Sequence, residues 1–283
     1  AALYDQTNIW NTSLSTGGGV LGGAYGGSAI GGEVAPDIIG TVRVDQAWGL
    51  FQASFAAHDN HAAYYGATET TGHPGDKWGW AGALALSIKN IPTGPGDTIN
   101  IQGVYTEGAS RYNFNSLAGT SFSMFNSSSN PLAYQGLGFA GVSDSVFGVG
   151  TGQELTQTYG MRGAFTHNWD PYWNTALYGA WAAVHYNGNA TALICASPGI
   201  TAIRTASFTC DPDFNISQIG VITRWTPVKN LTFSADVIYS HLDQKFSGLA
   251  TSGVIAGVAK PAGLYEMKDQ DTVSLLLRAQ RNF

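Results

Sequence analysis

The chain has 283 residues, with 11% charged, 44% hydrophobic and 12% aromatic. Charge falls well short of the usual quarter or so, which excludes a charge-coated or disordered chain. A net charge of −6 argues against nucleic acid as a partner. No stretch supplies the roughly 20 apolar residues of a spanning helix; residues 112–143 lack charge but are rich in Ser, Asn and Gly.

Taken from the amino end, the chain opens Ala1-Ala2-Leu3-Tyr4-Asp5, without the basic and apolar regions of a signal peptide. The expectation is that amino-terminal strands are missing rather than that a leader was cleaved. Leu3–Leu14 reads as a strand, followed by the glycine-rich stretch Gly17–Gly32. Gly17–Gly22 spells G-x-G-x-x-G, but no helix or βαβ context follows, so it reads as loop. Strict alternation with a period of two then marks strand after strand. Ile38–Gln46 sets Ile38, Val42 and Val44 against Thr41, Arg43 and Asp45, and Leu50–His58 sets Phe51, Ala53 and Phe55 against Gln52, Ser54 and His58. Trp78–Lys89, Thr98–Glu107, Thr156–Asn168, Asn174–His185, Ser217–Trp225 and Leu231–His241 alternate in the same way.

The last strand runs from Asp271 to Phe283. Val273, Leu275, Leu277, Ala279 and Phe283 share one face, and Thr272, Ser274, Arg278, Gln280 and Asn282 the other. One face suits lipid; the other is too polar for a core and suits water. Leu276 on the wet face and Arg281 on the dry face break the pattern, and Arg281 lies where a long side chain can snorkel to an interface.

Connections alternate between short and long. Short ones fall near 47–49, 90–97, 169–173 and 226–230; long ones fall near 15–36, 59–77, 108–152, 186–216 and 242–268. Short periplasmic turns and long extracellular loops are the habit of transmembrane barrels. A soluble sandwich has no reason to gather its long loops at one end. Trp48, Trp78, Trp80, Trp169, Tyr172, Trp173, Trp225 and Phe283 cluster at strand ends, where interfacial girdles belong. Backbone groups in lipid have no water to bond, so only a sheet without edges survives there. The fold class expected is an all-β transmembrane antiparallel up-and-down barrel, one domain over residues 1–283, with about ten strands present.

The stretches APDIIGTVRVDQAWG (35–49), DKWGW (76–80), WTPVKNLTFSAD (225–236) and KDQD (268–271) with RAQRNF (278–283) resemble the general porins of the alphaproteobacterial, rhizobial type. The resemblance covers most of the chain, and the last two motifs are the most specific. It implies a sixteen-stranded barrel, trimers, and passage of small hydrophilic solutes and ions through the outer membrane. Ten strands instead of sixteen make the chain resemble a carboxyl-terminal fragment, with the family's inward-folded constriction loop in the missing part.

On the wet face stand Arg43, Asp45, Lys89, Arg162, Arg224, Asp236 and Arg278. Fixed charges inside a pore bias which ions enter; plain solvated lumen residues paired with one another are the competing reading. A charge at the lipid midplane costs about 2–4 kcal/mol, which argues that all seven face inward. Cys195 and Cys210 share one expected loop, and an oxidising compartment allows a disulfide between them, worth roughly 3 kcal/mol; two free thiols or half a metal site are the alternatives. His58, His61 and His73 read as loop residues rather than metal ligands. Residues 108–152 are long enough to fold into the lumen or cap it, with a mobile surface loop as the expectation. No G-x-S-x-G, P-loop or H-E-x-x-H motif appears, and no enzyme activity, cofactor or metal is expected. The expected task is passive diffusion through a water-filled channel. A plugged adhesive barrel with partner-binding loops and a secreted β-rich module are the alternatives.

Overall fold

The computed structural model describes residues 2–4, 13–15, 27–28, 31–32, 34–114, 121–253 and 260–282. Its strands, in chain order, are β1 (Ala2–Tyr4), β2 (Ser13–Ser15), β3 (Gly27–Ser28), β4 (Asp37–Gln46), β5 (Gly49–Asn60), β6 (Lys77–Lys89), β7 (Thr98–Glu107), β8 (Ser121–Asn126), β9 (Gln135–Gly141), β10 (Ser145–Phe147), β11 (Glu154–Leu155), β12 (Gln157–Asn168), β13 (Trp173–His185), β14 (Phe214–Val228), β15 (Leu231–Gln244), β16 (Gly248–Ser252), β17 (Gly263–Met267) and β18 (Gln270–Arg281). Two helices, α1 (Gly188–Ala196) and α2 (Pro198–Ile203), lie between β13 and β14.

Ten strands make one antiparallel wall in the order β1-β4-β5-β6-β7-β12-β13-β14-β15-β18. From β4 onward its strands are 10 to 15 residues long, the membrane scale of about 9–11 or more rather than the globular mode of about 5–6. The short turns all lie at one end of the wall and the long connections at the other. β14 runs on to Val228, with a register shift between Trp225 and Val228, so the turn shrinks to Lys229 and Asn230. Asn230 takes φ 68° there, a conformation Asn tolerates better than most residues. Among the described residues no ladder joins β18 to β1 or β4, so the wall is an open sheet. The expected strand Leu3–Leu14 divides: β1 pairs with β4 while Leu14 pairs in a second sheet, β11-β10-β2-β3. Residues 5–12, the Gly17–Gly22 string and Phe283 lie outside the described residues.

The outer face of the wall leaves Val42, Leu84, Met161, Leu177, Ile219, Val237 and Leu275 exposed, on seven different strands. Soluble monomers rarely expose so continuous an apolar surface, whereas lipid covers it without cost.

The hydrophobic core lies on the opposite, inner face, at the long-loop end. There β8 and β9 pair with β17 and β16 in a four-stranded sheet laid against the wall. Leu137 and Phe139 of β9 and Tyr265 and Met267 of β17 pack with the wall residues Val184, Phe214 and Leu242. Gln244 fastens the sheet. Its side-chain oxygen accepts from the Phe139 N–H at 3.0 Å, and its amide donates to the Leu137 and Lys268 carbonyls at 2.9 and 2.7 Å. At Gly138 a Cβ would stand 2.3 Å from the Gln270 side chain, so the approach requires glycine. The described part of the connection between β7 and β12, expected as a mobile surface loop, is thus packed against the wall.

The connection between β13 and β14 is equally built. Asn187 caps α1 by accepting from the Ala190 N–H at 2.9 Å, and Pro198 begins α2 behind its cap Ser197. Ile194 and Ile200 carry both helices into the core. Cys195 and Cys210 are bonded, with Cα atoms 5.9 Å apart. The closed loop is of a length whose restraint is worth about 3 kcal/mol in the entropy model.

Candidate functional site

The inner face is ordered by register. Because every wall pair is antiparallel and in step, one transverse row runs Arg43, Gln52, Ala85, Gln102, Arg162, Ala180, Gln218, Ser240, Thr272 from β4 to β18. Seven of the nine are polar and two are alanine, a composition that no protein core uses and that water wets.

Further toward the short-turn end come Asp45, Leu50, Ser87, Asn100, Ala164 and Tyr178, and then a row holding Lys89, Ile222 and Asp236. Last come Asn168, Asn174, Arg224, Ser234 and Arg278. All seven charged residues singled out from the sequence therefore share this face, though they do not form one cluster. Arg43 and Lys89 converge on Asp45 at 2.9 and 3.2 Å. Arg224 donates to the Asn174 side chain at 3.3 Å. Asp236 accepts from the Tyr178 hydroxyl at 2.7 Å across the intervening strand.

At the long-loop end the structure adds a buried polar network. Asp37, His58, Ser110 and Asp144 are all nearly inaccessible. His58 Nδ1 lies 2.7 Å from one Asp37 oxygen, and the Tyr112 hydroxyl donates to the other at 2.5 Å. Asp144 accepts from the Ser110 N–H and hydroxyl at 2.5 and 2.8 Å, and stands 4.0 Å from His58 Nε2. His58 is thus a buried residue, not a solvated loop residue. The signal was present: the hairpin register that pairs Ile38 with Ala57 brings Asp37 opposite His58. His61 instead bonds Asp76 at 2.6 Å and meets the His73 ring edge-on. Among the described residues no three side chains come together that would hold a metal ion.

The aromatic residues fall at two levels of the outer face. Trp80 contacts Phe55 and Tyr105, and Trp181 contacts Tyr159, toward the long loops; Trp78 stands beside them, exposed. Trp173, Trp225 and Phe233 stack in sequence at 5.6 Å spacings near the short turns, with Trp48 and Trp169 exposed in those turns. Trp173 and Trp181 are eight residues apart on β13. That is about 27 Å along the strand, or about 20 Å of height at a tilt of about 40°, the order of the roughly 25 Å apolar band of a membrane barrel.

Over residues 5–276 the chain matches the family model described as the porin subfamily. The chain belongs to the porin subfamily. Porins are β-barrel channels of the bacterial outer membrane, and that is the location and the task of this chain. The crystal structure of the outer membrane channel DcaP of Acinetobacter baumannii shares its fold, with a TM-score of 0.50 at 12% identity. The match covers 98% of this chain and 68% of that one. No curated protein matches the sequence.

Proposed function

We propose that this porin is a passive, non-enzymatic diffusion channel of the alphaproteobacterial, rhizobial type, working as a homotrimer. On this reading the barrel closes in the membrane between the two edges of the wall, β1 and β18. The observation that carries the reading is the wet inner wall facing an apolar outer one across every strand from β4 to β18. Small hydrophilic solutes and ions cross by size and charge alone. Arg43, Lys89, Arg162, Arg224 and Arg278 line the pore against Asp45 and Asp236, five cations to two carboxylates and hence +3 among these seven. The lumen therefore favours anions although the chain as a whole carries −6. Trp48, Trp78, Trp80, Trp169, Trp173, Trp225 and Phe283 anchor the barrel in outer-membrane lipid. Single-channel recording of the complete gene product in a planar bilayer tests this. Stepwise openings in threes, with a reversal potential of anionic sign in a salt gradient, are expected.

The packed sheet of β8, β9, β16 and β17 on the inner face favours a second reading, a plugged barrel whose loops bind partners. A folded, heat-modifiable protein that never conducts would move the assignment there.

A further inference from the structure

Midway along the inner wall lies a groove of about 480 Å³, within the range of small-molecule sites. Its floor is wall backbone, exposed because Ala85, Ala164 and Ala180 are small where they meet the lumen. Its polar groups are Ser87, Asn100, Gln102, the guanidinium of Arg162 and Tyr178, whose hydroxyl is already given to Asp236. Register places Gln102 and Ala180 on either side of Arg162, and Asn100 and Tyr178 on either side of Ala164.

Arg162 differs from Arg43, Lys89 and Arg224 in having no partner among the described residues. Asp45 is taken by Arg43 and Lys89, and Asp236 by Tyr178. Among the described residues no carboxylate or other acceptor engages the Arg162 side chain, and none engages the side-chain amides of Asn100 and Gln102. A half-buried guanidinium beside two free amides and an alanine-lined floor is complementary to one class of ligand: a small organic carboxylate with a short apolar body.

We infer that this groove is a transient solute-binding subsite of the channel, in which Arg162 holds a carboxylate bidentately and the alanines take the ligand's alkyl part. The inference rests on the channel reading and deepens it, naming a solute class. The fork geometry of arginine matches a carboxylate plane. A site open on one side holds its ligand loosely, as passage demands.

The probe is butanoate, added to one side of a bilayer holding the complete gene product in potassium chloride. Butanoate should reduce the chloride current in a saturable way, with acetate about fifteenfold weaker for want of two methylenes and neutral butyramide without effect. Arg162→Gln should raise the half-blocking concentration about tenfold, with Arg162→Lys in between, and Ala180→Leu should raise it too by filling the groove around an intact guanidinium. Lys229→Gln, a charge removed from a surface turn, should leave the block unchanged. Equal block by acetate and butanoate, or equal loss in Lys229→Gln and Arg162→Gln, would overturn the subsite and leave a diffuse field. If the folded protein does not conduct, the channel reading fails separately. Saturation transfer from the protein in micelles to butanoate, lost in Arg162→Gln, would still support the groove, and its absence in the parent protein would overturn it.

Discussion

Tyr178 reaches its partner only because Gly220 has no side chain. The two residues are register partners on β13 and β14, and a Cβ at Gly220 would stand 2.4 Å from the Tyr178 ring carbon that bears the hydroxyl. The ring lies across the glycine and delivers its O–H to Asp236 on β15. Asp236 is nearly enclosed, so losing that donor leaves a carboxylate short of a partner. Tyr178→Phe should cost about 1–3 kcal/mol, and Gly220→Ala about 1–3 kcal/mol by pushing the ring off its path. The two losses have one cause, so Gly220→Ala should cost much less in a Tyr178→Ala background. Denaturant unfolding of the refolded protein in detergent measures this cycle. Additive costs would mean that the ring and the glycine act independently.

At the scale of elements, the turn between β6 and β7 hangs on one carboxylate. Asp97 is fully enclosed and ties this turn to the end of β12. The Thr93 hydroxyl donates to it at 2.7 Å, the Asn168 N–H at 2.8 Å, and His167 Nδ1 lies 2.7 Å away. The Thr93 hydrogen bond first, then Asn168 and His167, hold its pKa down to about 2, against about 3.9 in an unfolded chain. The unfolded state thus binds the proton more readily. The stabilisation is complete above about pH 4, shrinks as pH falls, and is gone below about 2. Asp97→Asn should remove that part of the acid sensitivity and lower stability at neutral pH; unfolding midpoints that fall in parallel for both proteins between pH 5 and 2 would contradict it. The turn itself was legible from Pro92, Gly94, Pro95 and Gly96, as the wall strands were from their alternation, because both signals are local. Two helices were missed between β13 and β14, although Asn187 and the Ser197-Pro198 pair are ordinary cap signals. Both helices are too short to carry a sustained helical apolar period, so the caps alone mark them.

At the scale of the molecule, the wall was readable because each strand faces two different solvents, and a period of two records that directly. What lies inside the wall was not readable, because it depends on fit between segments far apart in sequence. Nothing local in Gln135–Gly141 says that Gly138 must lie against Gln270, or that Gln244 will bond the backbone of Leu137 and Phe139. From Tyr112, bonded to Asp37 on β4, to Gly138, packed on Gln270 of β18, the β7–β12 connection crosses the inner face from one side of the wall to the other. Whatever passes along the wall must pass beside it. Replacing residues 121–141 with a short Gly-Ser linker uncovers Val184, Phe214 and Leu242 to water and widens the path. Conductance should rise while the outer wall, and so heat-modifiable migration, persists. A silent parent channel that conducts after the deletion would establish the plugged barrel instead. Unchanged conductance would show that the segment does not overlie the pore in a membrane.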